Sequence, residues 1–308
     1  MIQVHDLRVD YDDVCAVQEL NLEIGAGEIY GLIGPNGAGK TSTLRSLMGL
    51  QEPTYGEIVL NGIDLESRRE EAIQMVGFMP DFSPIYEDLM VWEFLDLFAA
   101  SYGVPRSRRP ALIAENLELV DLTEKRDALT AGLSRGMKQR LMLAKTLLSD
   151  PQIVLLDEPA SGMDPHGRIL LKNIMQGLGS QGKTVMISSH ILAELSEFCT
   201  SIGIMERGKM VLSGRVDEVK DRVLGRAEIA VELVSGEARF REILLSDPRA
   251  GDLTGEGGSF SFSFEGGPEE TSELLSSLVS AGVRVVSFAR KKEGLEEVFL
   301  RVGAREVS

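Results

Sequence analysis

The chain has 308 residues, 43% apolar and 26% charged, an ordinary globular composition at a length that suits two domains rather than one small core. Its formal net charge of −16 argues against nucleic acid as the main partner, because phosphate backbones select clustered Lys and Arg, but it leaves open a protein partner embedded in a membrane. No run nears the roughly 18 consecutive apolar residues that span a bilayer, the opening residues Met1, Ile2, Gln3, Val4, His5 and Asp6 lack the basic and apolar regions of a secretory signal, and Cys15 and Cys199 have no metal spacing and are expected as reduced, packed thiols in the cytosol.

Residues 2–7, 16–24 and 28–33 read as strands separated by Tyr11-Asp12-Asp13 and Gly25-Ala26-Gly27, a small β-layer that feeds a glycine-rich loop. That loop, Gly34-Pro35-Asn36-Gly37-Ala38-Gly39-Lys40-Thr41, fits G-x-x-x-x-G-K-[ST] without a mismatch, and a helix is expected to start at Thr41 and Ser42. Its glycines let consecutive N–H groups wrap one anion, and the helix N-terminus adds partial positive charge. Lys40 is placed to reach β- and γ-phosphates, and the Thr41 hydroxyl to ligate Mg²⁺. A chance glycine-rich turn is the competing reading, but the match sits between a strand and a helix. The chain is expected to bind a nucleoside triphosphate.

Further along, residues 57–60 and the turn Asn61-Gly62 predict a hairpin, and residues 75–78 a short strand. Residues 89–120 turn helical, with Trp92, Leu95, Phe98 and Ala99 on one face, interrupted by Pro105 and a basic run Arg106, Arg108, Arg109 expected as a solvated loop. Residues 134–148 form an amphipathic helix that leads into the most apolar strand, 153–156. Then follow a helix over 166–178, a strand over 184–188, a helix over 191–198, and strands over 201–206 and 209–213. Such alternation indicates an α/β core with a largely parallel sheet. After a composition shift, strand 228–234, helix 237–245, a Gly-rich acidic loop over 247–258, strand 259–264, helix 269–281, strand 283–289 and a short helix over 295–300 predict a compact α+β appendage.

Asp157 and Glu158 end the apolar strand and precede Pro159. An acid at that strand end falls beside the phosphate loop, where Asp157 can hold Mg²⁺ through water and Glu158 can polarise the attacking water. Adjacent acids are often only a solvated edge, but the phosphate loop upstream favours catalysis. Between the two sites lies Leu133-Ser134-Arg135-Gly136-Met137-Lys138-Gln139-Arg140, at the head of the amphipathic helix. Ser134 is a good N-cap, and its hydroxyl, the Gly136 N–H and the helix end make an anion site.

These motifs, with Ser161-Gly162-Met163-Asp164 and His190 after strand 184–188, resemble the ATP-binding-cassette (ABC) ATPases in the same order, over residues 2–215, and residues 133–140 resemble that family's signature motif. The resemblance implies an α/β P-loop NTPase cassette with a mixed sheet, an N-terminal β-layer and a helical subdomain inserted over about 82–150. The cassette would occupy 1–222 and the α+β accessory domain 223–308. It implies ATP and Mg²⁺ as ligands, with Glu158, His190 and Lys40 catalytic. Two ATP molecules would be sandwiched between two copies, each lending Ser134 and Gly136 to the other's γ-phosphate, with Asp164 across the seam. Tyr11, about 23 residues before the loop, falls where the family stacks an aromatic on adenine; a turn tyrosine is the plainer reading. His5 and His166 are read as structural.

Two departures matter. Asp81 stands where the family carries Gln, beside Mg²⁺ and the attacking water; it is counted with Thr41 and Asp157 as a metal-side residue, although its charge would repel the γ-phosphate. Arg135 and Met137 stand where Gly and Gln are commonest. The signature form, the acid at position 81 and the segment Gly294-Leu295-Glu296-Glu297-Val298-Phe299-Leu300 are similar to stand-alone ATPase subunits of ABC-2-type exporters. That likeness implies a twin copy, a separate membrane permease gripped by residues 82–103, and a place on the cytoplasmic face of the membrane. The alternatives are a soluble ABC interaction module and a regulatory subunit whose Asp81 and Arg135 mark weakened catalysis.

Overall fold

The computed structural model describes residues 1–82, 84–216, 218–219 and 227–290. The chain divides into two compact units, Met1–Val216 and Asp217–Ser308. The first unit runs β1 (Ile2–Tyr11), β2 (Val14–Ile24), β3 (Ile29–Ile33), α1 (Lys40–Leu47), β4 (Tyr55–Leu60), β5 (Ile63–Asp64), α2 (Arg69–Gln74) and β6 (Val76–Met79). It continues with α3 (Val91–Ser101), α4 (Arg109–Leu119), α5 (Arg135–Leu147), β7 (Ile153–Asp157), α6 (Pro165–Ser180), β8 (Thr184–Ser189), α7 (Leu192–Leu195), β9 (Ser201–Glu206) and β10 (Lys209–Arg215).

An antiparallel sheet, order β2-β1-β4-β5, forms the β-layer, and Asn61-Gly62 turns β4 into β5. The third strand expected in that layer, residues 28–33, belongs instead to the second sheet as β3, where it pairs in parallel with β8 and β9. Ile2, Val4, Leu7 and Val9 of β1 are all buried although their spacing breaks strict alternation. A bulge explains it: Asp6 adopts φ 48°, and the register shifts between Val4 and Leu7, which returns the apolar side chains to one face. Each such side chain stabilises the fold by about 1.5–3 kcal/mol when fully buried.

The second sheet has the order β10-β9-β3-β8-β7-β6, parallel from β9 to β6 with β10 antiparallel at one edge. Strands covered on both faces carry unbroken apolar runs, and every residue of β3 and β7 is buried. Leu44 and Leu47 of α1 share one core cluster with Ile2, Leu7, Leu20 and Ile24 of the first sheet and Leu32, Leu155 and Met186 of the second, so α1 is packed between the layers. Among the described residues the helical region holds three α-helices: Phe94 of α3, Leu117 of α4 and Leu141 of α5 are buried, and the rings of Phe94 and Phe98 lie 5.0 Å apart. The basic run is not wholly loop. Arg109 opens α4, donates from Nε to Val104 O at 2.8 Å and pairs with Asp96 at 3.6 Å, whereas Arg106 and Arg108 are exposed. The helix expected over 191–198 contracts to α7, ending in the turn that buries Cys199.

In the second unit β11 (Ala227–Ser235), α8 (Glu237–Ser246), β12 (Ala250–Glu256), β13 (Ser259–Phe264), α9 (Pro268–Ser280) and β14 (Arg284–Arg290) form an antiparallel sheet of order β12-β13-β11-β14, a split βαβ arrangement. Phe240 and Leu274 from the helices meet Phe260, Phe262 and Phe264 of β13 in its core. The stretch expected as a loop over 247–258 is mostly strand β12. Pairing with β13 supplies the order that its composition does not suggest. The helix expected over 295–300 lies outside the described residues.

Candidate nucleotide site

The site forms where β3, β7 and β8 end together. Parallel pairing puts Ile33 opposite Ser189 and Asp157 opposite Ser188, so Gly34, Glu158 and His190 all fall one step beyond the sheet's carboxyl edge. Open α/β sheets bind ligands at this edge. The backbone from Gly34 to Gly39 turns directly into α1, with Pro35, Asn36 and Gly37 exposed and Ala38, Gly39 and Lys40 buried. Gly39 caps the helix at φ 101°, and a β-carbon there would strike the Ala16 carbonyl, so no other residue fits. Lys40 Nζ donates to Gly34 O at 2.6 Å and Pro35 O at 3.2 Å, which holds its ammonium within the loop.

Opposite the loop, Thr41 Oγ1 donates to Asp157 Oδ2 at 2.8 Å, and Ser188 Oγ donates to Asp157 Oδ1 at 2.6 Å. The Ser188 oxygen also accepts from Glu158 N–H at 3.0 Å. Glu158 itself adopts φ 48°, a conformation that costs about 1–3 kcal/mol and persists where surroundings enforce it. His190 Nδ1 donates to its Oε2 at 2.9 Å. Its Oε1 is buried without a hydrogen bond, 3.5 Å from Lys40 Nζ. A carboxylate oxygen kept dry, fixed through its twin by an imidazole and next to a cation is suited to accept a proton or polarise water. Thr41 and Asp157 supply the adjacent hard oxygens that Mg²⁺ selects, so the donor set fits that ion.

Tyr11 ends β1 opposite Val14, on the hairpin that leads to Ala16 beside Gly39; it is partly exposed. Ser42 is half-buried in the first turn of α1. Ser134 caps α5, its Oγ accepting from Met137 N–H at 3.3 Å, and Gly136 lies in that helix's first turn, where N–H groups lack helical partners. Asp164 likewise caps α6 by accepting from Gly167 N–H at 2.8 Å. The structure therefore gathers Lys40, Thr41, Asp157, Glu158 and His190 into one cluster. Ser134 and Gly136 stand apart: among the described residues no hydrogen bond or ion pair joins them to the phosphate loop. Asp81 follows β6, exposed; Gln139 Nε2 donates to its carbonyl at 3.5 Å, and among the described residues its carboxylate has neither hydrogen bond nor ion pair. Sequence reasoning missed Ser188, which ties Asp157 to Glu158, and Ser189, whose carbonyl accepts from Gly34 N–H at 3.3 Å. The run Ser188-Ser189-His190 closing an apolar strand was the available signal. Cys15, expected as packed, is exposed, because it lies near the tip of the β1–β2 hairpin beside the exposed Val14; Cys199 is buried, and burial pushes its thiol pKa up.

Residues 17–161 match the ABC transporter family, and residues 214–302 match the C-terminal domain of DrrA1-3-like ATP-binding proteins. Over 99% of this chain and 89% of its own length, the Nod factor export ATP-binding protein I of Rhizobium meliloti is 34% identical. The protein of the same name from Burkholderia pseudomallei is 35% identical over 96% of this chain and 95% of its own. Among solved structures, an ATP-binding subunit of an ABC transporter is similar with a TM-score of 0.67 and 30% identity over 73% of this chain and 93% of that one. A dimeric cassette in a post-hydrolysis state with ADP and Pi shares the fold at a TM-score of 0.63 and 23% identity, covering 70% of this chain and 99% of that one. With the phosphate loop, the acid-tipped strand and the capped signature helix in place, these likenesses make the chain a member of the ABC transporter ATP-binding subunits, ATPases that couple ATP hydrolysis to transport.

Proposed function

We propose that this chain powers export through a separate membrane permease, closing as a homodimer around two ATP molecules. The observation that carries the reading is Glu158, held by His190 and Ser188 with one buried oxygen left for a reactant. The loop of residues 34–42 wraps the phosphates with the N–H groups that follow Pro35, Lys40 leaves its loop carbonyls for the β- and γ-phosphates, and Tyr11 stacks on adenine. Thr41 and Asp157 would hold Mg²⁺, which would supply positive charge to offset that developing on the phosphate oxygens. Glu158 polarises the attacking water and His190 fixes the carboxylate's orientation while facing the γ-phosphate. Ser134 and Gly136, apart from their own chain's loop, offer their helix end to the partner's γ-phosphate.

The permease contact falls on the segment after β6. Phe82 and Tyr86 are exposed there, and a groove of about 640 Å³ runs between Asp81, Phe82 and Ile85 and the start of α5, suited to a short amphipathic helix. Among the described residues no helix is long and apolar enough to cross a membrane, in keeping with a peripheral subunit held on the cytoplasmic face by its permease. Export rather than import rests on the Nod factor export relatives; the cargo would be bound by the permease. Affinity capture of the tagged chain from detergent-solubilised membranes tests the partner. A multi-span protein should co-purify and be lost with Phe82→Glu/Tyr86→Glu, while ATPase activity remains; recovery of the same protein with that variant would refute the groove as the docking site.

A further inference from the structure

We propose that Arg135, which departs from the family's signature, is a positioning residue that holds the Glu158 turn in its working geometry. The inference rests on reading Glu158 as the group that polarises water.

Three contacts carry it. Ser161 N–H donates to Glu158 O at 3.0 Å, so Glu158 is the first residue of the turn that Ser161 closes. Arg135 Nη2 donates to Ser161 Oγ at 2.8 Å, reaching from the first turn of α5 to that closing residue. The Arg135 stem then lies across Gly162: at φ 75°, a β-carbon on Gly162 would sit 2.6 Å from both Cδ and Nε of the arginine. The glycine thus makes room for this side chain. A β-carbon on Gly136 would lie 3.3 Å from Gly162 O, so the signature backbone is docked on the same turn. Signature helix and turn are joined at two points, one of them made by Arg135.

The same arginine borders the groove between Asp81, Phe82, Lys138 and Gln139. It therefore stands between the segment assigned to the permease and the turn that begins at Glu158. Its bond to Ser161 is exposed and contributes little to global stability, since surface contacts of this kind are easily replaced by water. Its effect should fall on alignment, to which rates are more sensitive: displacement of reacting groups by on the order of 1 Å costs about 10²-fold. Arg135 then tunes turnover, in contrast to a mark of weakened catalysis.

The test is steady-state hydrolysis of MgATP by the full chain. Arg135→Ala and Ser161→Ala should each lower kcat about five- to twentyfold with KM for ATP changed less than about twofold, because alignment and not binding is lost. The double variant should be no slower than the slower single variant, as two ends of one contact must be. Arg135→Lys, which keeps a donor on a shorter head, should recover part of the rate. Multiplicative effects, an unchanged kcat in Ser161→Ala, or a raised KM with kcat retained would overturn the proposal; the last would make Arg135 a nucleotide-binding charge. Should Arg135→Ala not fold, Ser161→Ala and Arg135→Lys carry the same test. Unaltered rates in these variants beside an inactive Glu158→Gln would sink this proposal alone, whereas full activity of Glu158→Gln would sink the underlying reading.

Discussion

Replacing Glu158 with glutamine changes one atom of the side chain and removes its ability to take up charge or a proton. The packing around it should persist. Glu158 N–H still donates to Ser188 Oγ, the backbone at φ 48° is unchanged, and the amide oxygen can keep the 2.9 Å contact to His190 Nδ1. What is lost sits at Oε1, the buried oxygen 3.5 Å from Lys40 Nζ. General-base assistance contributes roughly 10²–10⁴ in rate, equivalent to about 2.7–5.5 kcal/mol of barrier. The low exposure of the Glu158 side chain, 16% against 54% for His190, favours the upper half of that range, since bulk water cannot readily substitute for the base. The assay is phosphate release by purified chain with MgATP, beside equilibrium binding of a fluorescent ATP analogue. The account predicts a kcat lowered by about 10³-fold with analogue affinity within about threefold of the parent. A kcat within twofold of the parent would remove Glu158 from the mechanism.

Two further outcomes follow from the same geometry. Ser188→Ala deletes the hydroxyl that donates to Asp157 Oδ1 and accepts from Glu158 N–H, leaving a buried carboxylate oxygen and a part-buried N–H without that partner; about 1–3 kcal/mol of stability should go, read as a lower urea midpoint, together with about a tenfold fall in kcat. Equal midpoints would show that water replaces the hydroxyl. Thiol titration of the native protein at pH 8 should find one accessible group, the exposed Cys15, reacting slowly because desolvation and the neighbouring Asp10 push its pKa up, and a second only in denaturant, because Cys199 is buried and its pKa is raised by that burial. Labelling of Cys199 before unfolding would contradict its burial.

The parts of the site carried by local pattern were legible in the sequence. Eight loop residues announced the phosphate cradle, and the serine before a helix announced the Ser134 cap, because each depends on neighbours a few positions away. Ser188 was marked only by the polar run that closes its strand; its role was not legible, since it comes from sitting opposite Asp157 in a parallel ladder 31 residues away in sequence. The same holds for β12: Gly251, Asp252, Gly255 and Glu256 carry no strand preference, and register with β13 decides the conformation. Asp6 illustrates a third limit, a bulge that resets alternation without a glycine or proline to mark it. Arg135 was visible as an oddity, but its partner Ser161 lies 26 residues on and is met only in the fold.

The central claim is that nucleotide joins two copies, each completing the other's site with the end of α5. Light scattering of the Glu158→Gln chain with MgATP addresses it most directly. The account predicts that the particle mass rises from 33.6 kDa to twice that value, and that Ser134→Arg, which blocks the helix end, abolishes the rise without preventing ATP binding. A mass that stays at 33.6 kDa under MgATP, with the permease supplied as well, would contradict it.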